Sequence, residues 1–277
     1  MASIPVEESP PSAPEPRPLI YRQRLSTRIW HWVNALAVIV MLMSGLMIFN
    51  AHPMLYWGQH GANHDWAWFA IGAGHVRIGS LVLPTFGLLG VKEGMGFPLA
   101  FPSWMTIPSH YDLAGAREWH FALAWLLVAP GLIYWAWSFA NGHVRHDLAP
   151  SRHELRPASL WRDIKDHARL RFHGGEEARR YNPLQKLSYL AVLFVLLPLL
   201  VLTGLTMSPQ IDAAWPWLLG LFGGRPSARS IHFICAMLIG IFIVIHILMV
   251  LLAGPVNGLR SMITGWYRLP PEREEEA

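Results

Sequence analysis

The feature that most constrains this chain is an uncharged run near its end. From Ile231 to Ala253 none of the 23 residues is Asp, Glu, Lys or Arg. As a helix, such a run crosses the ~30 Å hydrocarbon layer of a membrane. It carries His232 and His246, 14 residues apart. At ~1.5 Å and ~100° per residue, the two imidazoles sit ~21 Å apart along the axis and on one face. One spanning helix thus presents an imidazole near each membrane surface. Each asks for a partner, because ionisable groups inside a bilayer are costly and mark function by default.

Composition supports an integral membrane protein: 53% of residues are hydrophobic and only 14% charged, against ~25% charged in soluble domains. Three further spans are predicted, about 29–49, 119–140 and 187–207, so the fourth is 231–253. Pro198 is expected to kink the third. Residues 1–19 are rich in Pro, Ser and Glu, with neither a basic start nor an apolar core. They read as a disordered cytoplasmic tail rather than a signal peptide. The membrane domain then covers 20–266, and 267–277 forms a charged cytoplasmic tail. Between the first two spans lies a long insert, Ala51 to Asp112, rich in Gly, Pro, Trp and His. Within it Ile71 to Val91 is moderately apolar but holds Arg77, Pro84 and several glycines, and is expected to be a re-entrant or interfacial segment. Trp161 to Leu170 reads as a short surface helix. Cys235, the single cysteine, lies inside the fourth span and reads as a small buried apolar residue.

Loop charges set the orientation. Met1 to Trp30 holds four arginines and Asn141 to Leu187 ten basic residues, whereas Ala51 to Asp112 holds only Arg77 and Lys92. Cytoplasmic loops carry the excess of Lys and Arg. Both termini and the central loop are therefore expected in the cytoplasm, and the insert outside. The net charge of +4 is explained by this topology, and nucleic acid is not an expected partner.

Of the 14 histidines, His31, His120, His232 and His246 lie in spans. The topology puts His31 and His246 near the inner surface, and His120 and His232 near the outer one. Two imidazoles at each of two levels are what two stacked bis-histidine b haems require, with His31 paired to His246 and His120 to His232. Imidazole on both axial positions gives an iron that passes electrons rather than binding oxygen. A metal site or a proton relay is the residual reading. Three of the four have arginine three residues earlier: Arg28, Arg117 and Arg229. The i, i+3 spacing puts each beside its ring, where a propionate needs a charge-assisted partner. Gly45, 14 residues past His31, shares its face at the outer level, where a missing side chain admits a porphyrin edge or allows close helix packing. His52, His60, His64, His75 and His110 of the insert read as solvated loop histidines. No phosphate-binding loop, dinucleotide fingerprint, zinc-spaced Cys/His set or nucleophile elbow is present.

The motifs Arg28-Ile-Trp-His31-Trp-Val-Asn34 with Ser44-Gly45, Arg117-Glu-Trp-His120-Phe, Tyr181-Asn-Pro-Leu-Gln-Lys186 leading into Leu202-Thr-Gly-Leu-Thr-Met-Ser-Pro209, and Arg229-Ser-Ile-His232-Phe with His246 and Gly254-Pro255 carry a resemblance. Across most of Arg22 to Trp266 the chain resembles the four-helix di-haem cytochrome b subunits of nickel–iron hydrogenases, formate dehydrogenases and thiosulfate reductases. The insert, with its Pro102-Ser-Trp-Met-Thr-Ile-Pro108 exit, is most similar to the thiosulfate-reductase-like branch. The resemblance implies the same ligand pairs, quinone as exchangeable substrate, and a periplasmic molybdopterin-type or hydrogenase-like oxidoreductase partner. It also implies a quinone site near the inner haem, with His246 and Asn182 or Gln185 as candidates, although those two residues serve equally as caps of the third span. The expected fold is an all-α integral membrane four-helix bundle holding two b haems, with a long periplasmic insert. The expected function is electron exchange between the quinone pool and that partner. The alternatives are a self-sufficient quinone reductase, linked for example to superoxide, and a haem-free transporter.

Overall fold

The computed structural model describes residues 18–94, 96–142, 144, 149–169 and 183–269. The chain enters through a short strand β1 (Leu19–Tyr21) into the first long helix, α1 (Leu25–Asn50). The insert then contributes β2 (Met54–Leu55), β3 (Phe69–Gly72), β4 (His75–Ile78) and β5 (Leu81–Pro84). Asp112 starts α2 (Leu113–Ala140) by accepting the Gly115 N–H at 3.0 Å, a side-chain cap on one of the orphan donors of the first turn. A surface helix α3 (Pro157–Ala168) precedes α4 (Pro183–Ala191), a π turn (Val192–Leu196) and α5 (Leu197–Thr206). Two single-turn helices, α6 (Pro209–Ala214) and α7 (Pro216–Leu221), lead to α8 (Arg225–Leu252). After α9 (Pro255–Thr264), β6 (Trp266–Arg268) pairs antiparallel with β1.

Among the described residues four stretches are long and apolar enough to cross a membrane: Leu25–Asn50, Leu113–Ala140, Pro183–Thr206 and Arg225–Leu252. They coincide with the four expected spans, each beginning several residues earlier than the apolar run itself. Their outward faces are bare hydrocarbon; on α8 these include Ile241, Val244, Leu248 and Leu251. The third span is continuous but not regular. Pro198 has no N–H and its ring crowds the preceding turn. The helix answers with one wide turn, in which the Leu197 N–H reaches back five residues to the Val192 carbonyl.

The expected all-α architecture needs a correction in the insert. Ile71 to Val91 is neither re-entrant nor helical: it forms most of a four-stranded antiparallel meander in the order β2-β3-β4-β5. Two-residue turns close both of its tighter hairpins, pairing Gly72 with His75 and Ile78 with Leu81. Each turn contains a glycine at positive φ, Gly74 at 70° and Gly79 at 60°, a conformation that other residues rarely adopt. The sheet rests on an aromatic core of Phe49, Phe69, Phe101 and Phe233, in which the Phe49 and Phe233 rings stack at 4.6 Å. Of the two expected tails, 1–19 and 267–277, residues 1–17 and 270–277 lie outside the described residues, while Leu19 falls in β1 and Tyr267 and Arg268 in β6.

The helices are arranged as two pairs. α1 packs along α2, and α5 along α8, with little direct backbone packing between one pair and the other among the described residues. The pairs are joined at their ends instead. At one end the insert is tied to α1 by Asn50, whose side chain donates to the Phe101 carbonyl at 2.9 Å and accepts its N–H at 2.8 Å. It is tied to α8 by three residues. Ser227 accepts the Gly58 N–H at 2.7 Å, and Ser230 donates to the Tyr56 carbonyl at 2.6 Å. Arg229 donates to the carbonyls of Met54 and His52 at 2.8 and 2.5 Å. At the other end α9 meets the start of α1, where the Trp32 indole donates to the Met262 carbonyl at 3.0 Å and Arg28 to the Ile263 carbonyl.

Candidate metal centres

The space between the two helix pairs is crossed by imidazoles. At the insert end His120 of α2 faces His232 of α8, with ring centres 6.2 Å apart. At the terminal end His31 of α1 faces His246 of α8 at 6.3 Å. Neither pair is in hydrogen-bonding contact. Two metal–nitrogen bonds of ~2 Å each, with ~1 Å from nitrogen to ring centre on both sides, give a separation of ~6 Å between rings that share one metal. Both pairs therefore stand at the spacing of two axial imidazoles. Among the described residues no three His, Cys, Asp or Glu side chains converge on a common point.

The family model for the prokaryotic cytochrome b561 matches residues 22–265. The chain belongs to the prokaryotic cytochrome b561 family. It is therefore a multi-pass membrane cytochrome of b type, a haem-binding protein of electron transport. A chain of Azospira oryzae designated protein-methionine-sulfoxide reductase subunit YedZ1 is 27% identical over 238 residues, covering 86% of this chain and 93% of that relative. The Escherichia coli cytochrome designated YdhU is 27% identical over 90% of this chain and 75% of its own length. A Ni/Fe-hydrogenase B-type cytochrome subunit of Cupriavidus necator is 22% identical over 89% of this chain and 86% of its own.

The cytochrome holds the rings of its insert-end pair by matched contacts. His120 Nδ1 lies 3.1 Å from the Met41 carbonyl and 3.1 Å from Ser44 Oγ, both on α1. His232 Nδ1 lies 3.1 Å from the Leu200 carbonyl and 3.1 Å from Thr203 Oγ1, both on α5. A carbonyl only accepts, so Nδ1 carries the proton on both rings and Nε2 is the bare nitrogen, the one able to ligate. Beside each ring is a glycine. A methyl group on Gly45 would come within 3.4 Å of His120 Cε1, and one on Gly204 within 3.4 Å of His232 Cε1. The neighbour that the fold gives Gly45 is thus the His120 imidazole. Gly204, Ser44 and Thr203 were not singled out as site residues from the sequence. The signal was the recurrence of a hydroxyl residue followed by glycine, Ser44-Gly45 and Thr203-Gly204, in two different spans.

The terminal-end pair is set differently. His31 lies against the edge of Trp32 with ring centres 5.2 Å apart, and His246 stacks on Phe242 at 5.8 Å. Around this end, among the described residues, three buried polar atoms have no hydrogen-bond partner: Arg28 Nε, Asn34 Oδ1 and Arg260 Nε. Buried polar groups are normally satisfied. Two unpartnered guanidinium nitrogens in one region fit the carboxylates of a haem, and Arg260 of α9 is a residue the sequence reading missed.

The remaining sequence candidates fall as follows. Arg117 places its guanidinium over the Phe121 ring at 5.7 Å. Arg229 lies over Phe49 at 5.4 Å with its donors on the insert carbonyls. Asn182 lies outside the described residues. Gln185 is in the first turn of α4, whose Leu184 N–H is taken by Asp163 of α3 at 3.2 Å; a cap for this span comes from the surface helix. Of the insert histidines, His52 stacks on Tyr56 at 5.8 Å. Together with His60, Asp65, Arg225 and Arg229, these two line an open pocket of about 480 Å³ beside the start of α8. Burial, and then the nearby Arg229, hold the His52 pKa below its ordinary value.

Proposed function

We propose that this cytochrome is a di-haem membrane subunit that exchanges electrons between membrane quinone and an oxidoreductase partner on the insert side. The observation that carries the reading is the pair of histidine pairs. Four imidazoles from three helices meet two by two, at one spacing, at opposite ends of the bundle. A proton relay would call for imidazoles in hydrogen-bonding reach of one another, and these pairs stand apart.

In this reading His120 and His232 hold one haem b, and His31 and His246 the other. Haem b, when bound, would supply one-electron exchange, and an imidazole pair at each group would favour electron transfer over oxygen binding. Arg28 and Arg260 offer their unpartnered nitrogens to propionates at the terminal end. Arg117 and Arg229 offer charge at the insert end, in addition to the contacts already described. His246 with Gln185 and Asn182 are the candidates for quinone. Loop charge supports an insert on the outer side and both termini in the cytoplasm, and in this reading the membrane is a bacterial inner membrane and the outer side its periplasm. The YedZ1 and hydrogenase relatives are designated subunits of larger enzymes, which supports a partner that carries the substrate site. A molybdopterin enzyme is the partner class proposed here.

The test is a haem count by pyridine haemochrome on the detergent-purified chain. Two b haems per chain are expected, and one or none would overturn the di-haem reading. The partner is tested by co-purification from native membranes, where a molybdopterin protein is the expected companion.

A further inference from the structure

The insert-end rings are held by two copies of one device, and its geometry has a redox consequence. In a helix the side chain at position i+4 leans back over the carbonyl of residue i. Glycine at i+4 lays that carbonyl bare on one side. Gly45 stands four residues after Met41, and Gly204 four residues after Leu200. Each uncovered carbonyl, already the acceptor of its own helix bond, has a second lone pair, and an imidazole N–H of the neighbouring helix uses it. The hydroxyl at i+3 completes the device. Ser44 Oγ donates to the Met41 carbonyl at 3.2 Å, and Thr203 Oγ1 to Leu199 at 2.5 Å. With its hydrogen committed along the helix, each hydroxyl can only accept from the ring. Nδ1–H is thereby shared between two oxygens on both histidines.

Resting on the ligand pairing above, we propose that Ser44 and Thr203 are positioning residues for a single metal centre, fixing the ring planes of His120 and His232 and lowering that centre's reduction potential. An imidazole that gives its Nδ1–H to two acceptors has more electron density on Nε2, and outer-shell partners of this kind raise ligand basicity. A more basic ligand favours the oxidised metal. Among the described residues no hydrogen bond is made by the ring nitrogens of His31 or His246, so the effect is confined to one end of the bundle.

The experiment is a spectrally resolved redox titration of purified S44A, T203V and T203S, with low-spin electron paramagnetic resonance of the oxidised protein. In S44A and in T203V the midpoint of one haem rises while the other stays fixed, and it is the same haem in both variants. Its largest g value shifts as the imidazole planes relax. T203S, which keeps the hydroxyl, matches the parent. Should T203V lose this haem during purification, retention weakened ~10-fold or more together with retention in T203S supports the same conclusion. Two haems present with both midpoints and g values unchanged in S44A and T203V would overturn the proposal and leave the ligand pairing intact. S44A and T203V moving different haems would overturn the pairing itself.

Discussion

The two ends of this bundle solve one problem, holding an imidazole pair ~6 Å apart, by opposite means. At the insert end both rings are bonded to backbone of the adjacent helix, both are backed by glycine, and the insert bridges α8 to α1, the helix that holds the His120 ring. At the terminal end His31 meets the edge of Trp32 and His246 stacks on Phe242, while Arg28 Nε, Asn34 Oδ1 and Arg260 Nε are buried without a hydrogen-bond partner among the described residues. Directional hydrogen bonds fix an orientation, whereas apolar packing tolerates several. The comparison teaches that the insert end is preorganised and the terminal end adaptable. A fixed station suits a tunnelling relay under a docked protein. An adaptable one suits a site that a small diffusing substrate enters and leaves.

The largest effects come from removing the rings. His232→Ala is expected to abolish one haem and His246→Ala the other, each read as the loss of one of two components in the reduced-minus-oxidised spectrum. The comparison predicts a further difference. Without its ring, His232→Ala removes the N–H shared by the Leu200 carbonyl and the Thr203 hydroxyl, each of which keeps its helix bond, for a loss of about 1 kcal/mol. His246→Ala removes no ring-nitrogen hydrogen bond seen among the described residues. Thermal unfolding of the apoproteins should therefore show the larger loss for His232→Ala. Equal losses would break the claim that only one end is preorganised.

The helical frame was the more legible part of the sequence, and the reason is physical. Spans, histidine depth and ligand faces follow from run length and helical periodicity, which are local properties of α1, α2, α5 and α8. What was missed depends on contacts across the chain. The β3–β5 meander is uniformly apolar in β5, where Leu81-Val-Leu-Pro84 is exposed throughout, so no alternation announced a strand. The β1–β6 pairing joins segments some 245 residues apart. Arg260 sits in α9, a short helix just past the last span, to which the sequence reading gave no role. The Ser44-Gly45 and Thr203-Gly204 steps were visible as residues, but their use depends on which helix packs beside them.

Next in size is the clamp between insert and bundle. Asn50 is 4% exposed, and its amide satisfies both the N–H and the carbonyl of Phe101. Asn50→Leu would strand both groups in an apolar core, for a loss of about 2–4 kcal/mol. Limited proteolysis should detect this as faster cleavage between β5 and α2. The insert-end haem should also shift its midpoint, because α1 and α8 lose a bridge, while the terminal-end haem stays fixed. A shift in both haems would mean that the two ends are coupled through the helices and do not behave as separate devices.

A smaller effect separates the ends by pH. Burial and Arg229 keep His52 neutral in the folded insert, below its ordinary value of 6.5. In the unfolded chain it takes up a proton near that value, so the unfolded state binds more protons as the pH falls. Its contribution is fully present above pH 6.5 and is lost as the pH drops below it toward the depressed folded value. The insert should therefore loosen in mild acid, read by proteolysis at pH 7.5 and 5.5, and His52→Phe should remove that dependence. Cleavage equally slow at both pH values in the parent would show that His52 does not govern the insert.

The smallest effect belongs to the opposite end. Lys186, at the start of the third span, donates to Glu154 at 2.8 Å, and Ser151 and Glu154 cap one another, with the Ser151 N–H on the carboxylate at 2.6 Å. Burial works to raise the Glu154 pKa, but the Lys186 and Ser151 hydrogen bonds outweigh it and the net shift is downward from 4.5. The stabilisation is thus present above pH 4.5 and lost as the pH falls through the lowered value. Glu154 is only partly buried, so the bridge contributes no more than about 1 kcal/mol. Glu154→Gln should lower the unfolding temperature slightly at pH 7 and by less as the pH falls below 4.5, with both haem midpoints unmoved throughout. A midpoint shift in the terminal-end haem would show that this surface bridge reaches His31 and His246. The terminal end would then be as tightly held as the insert end, by charge rather than by backbone.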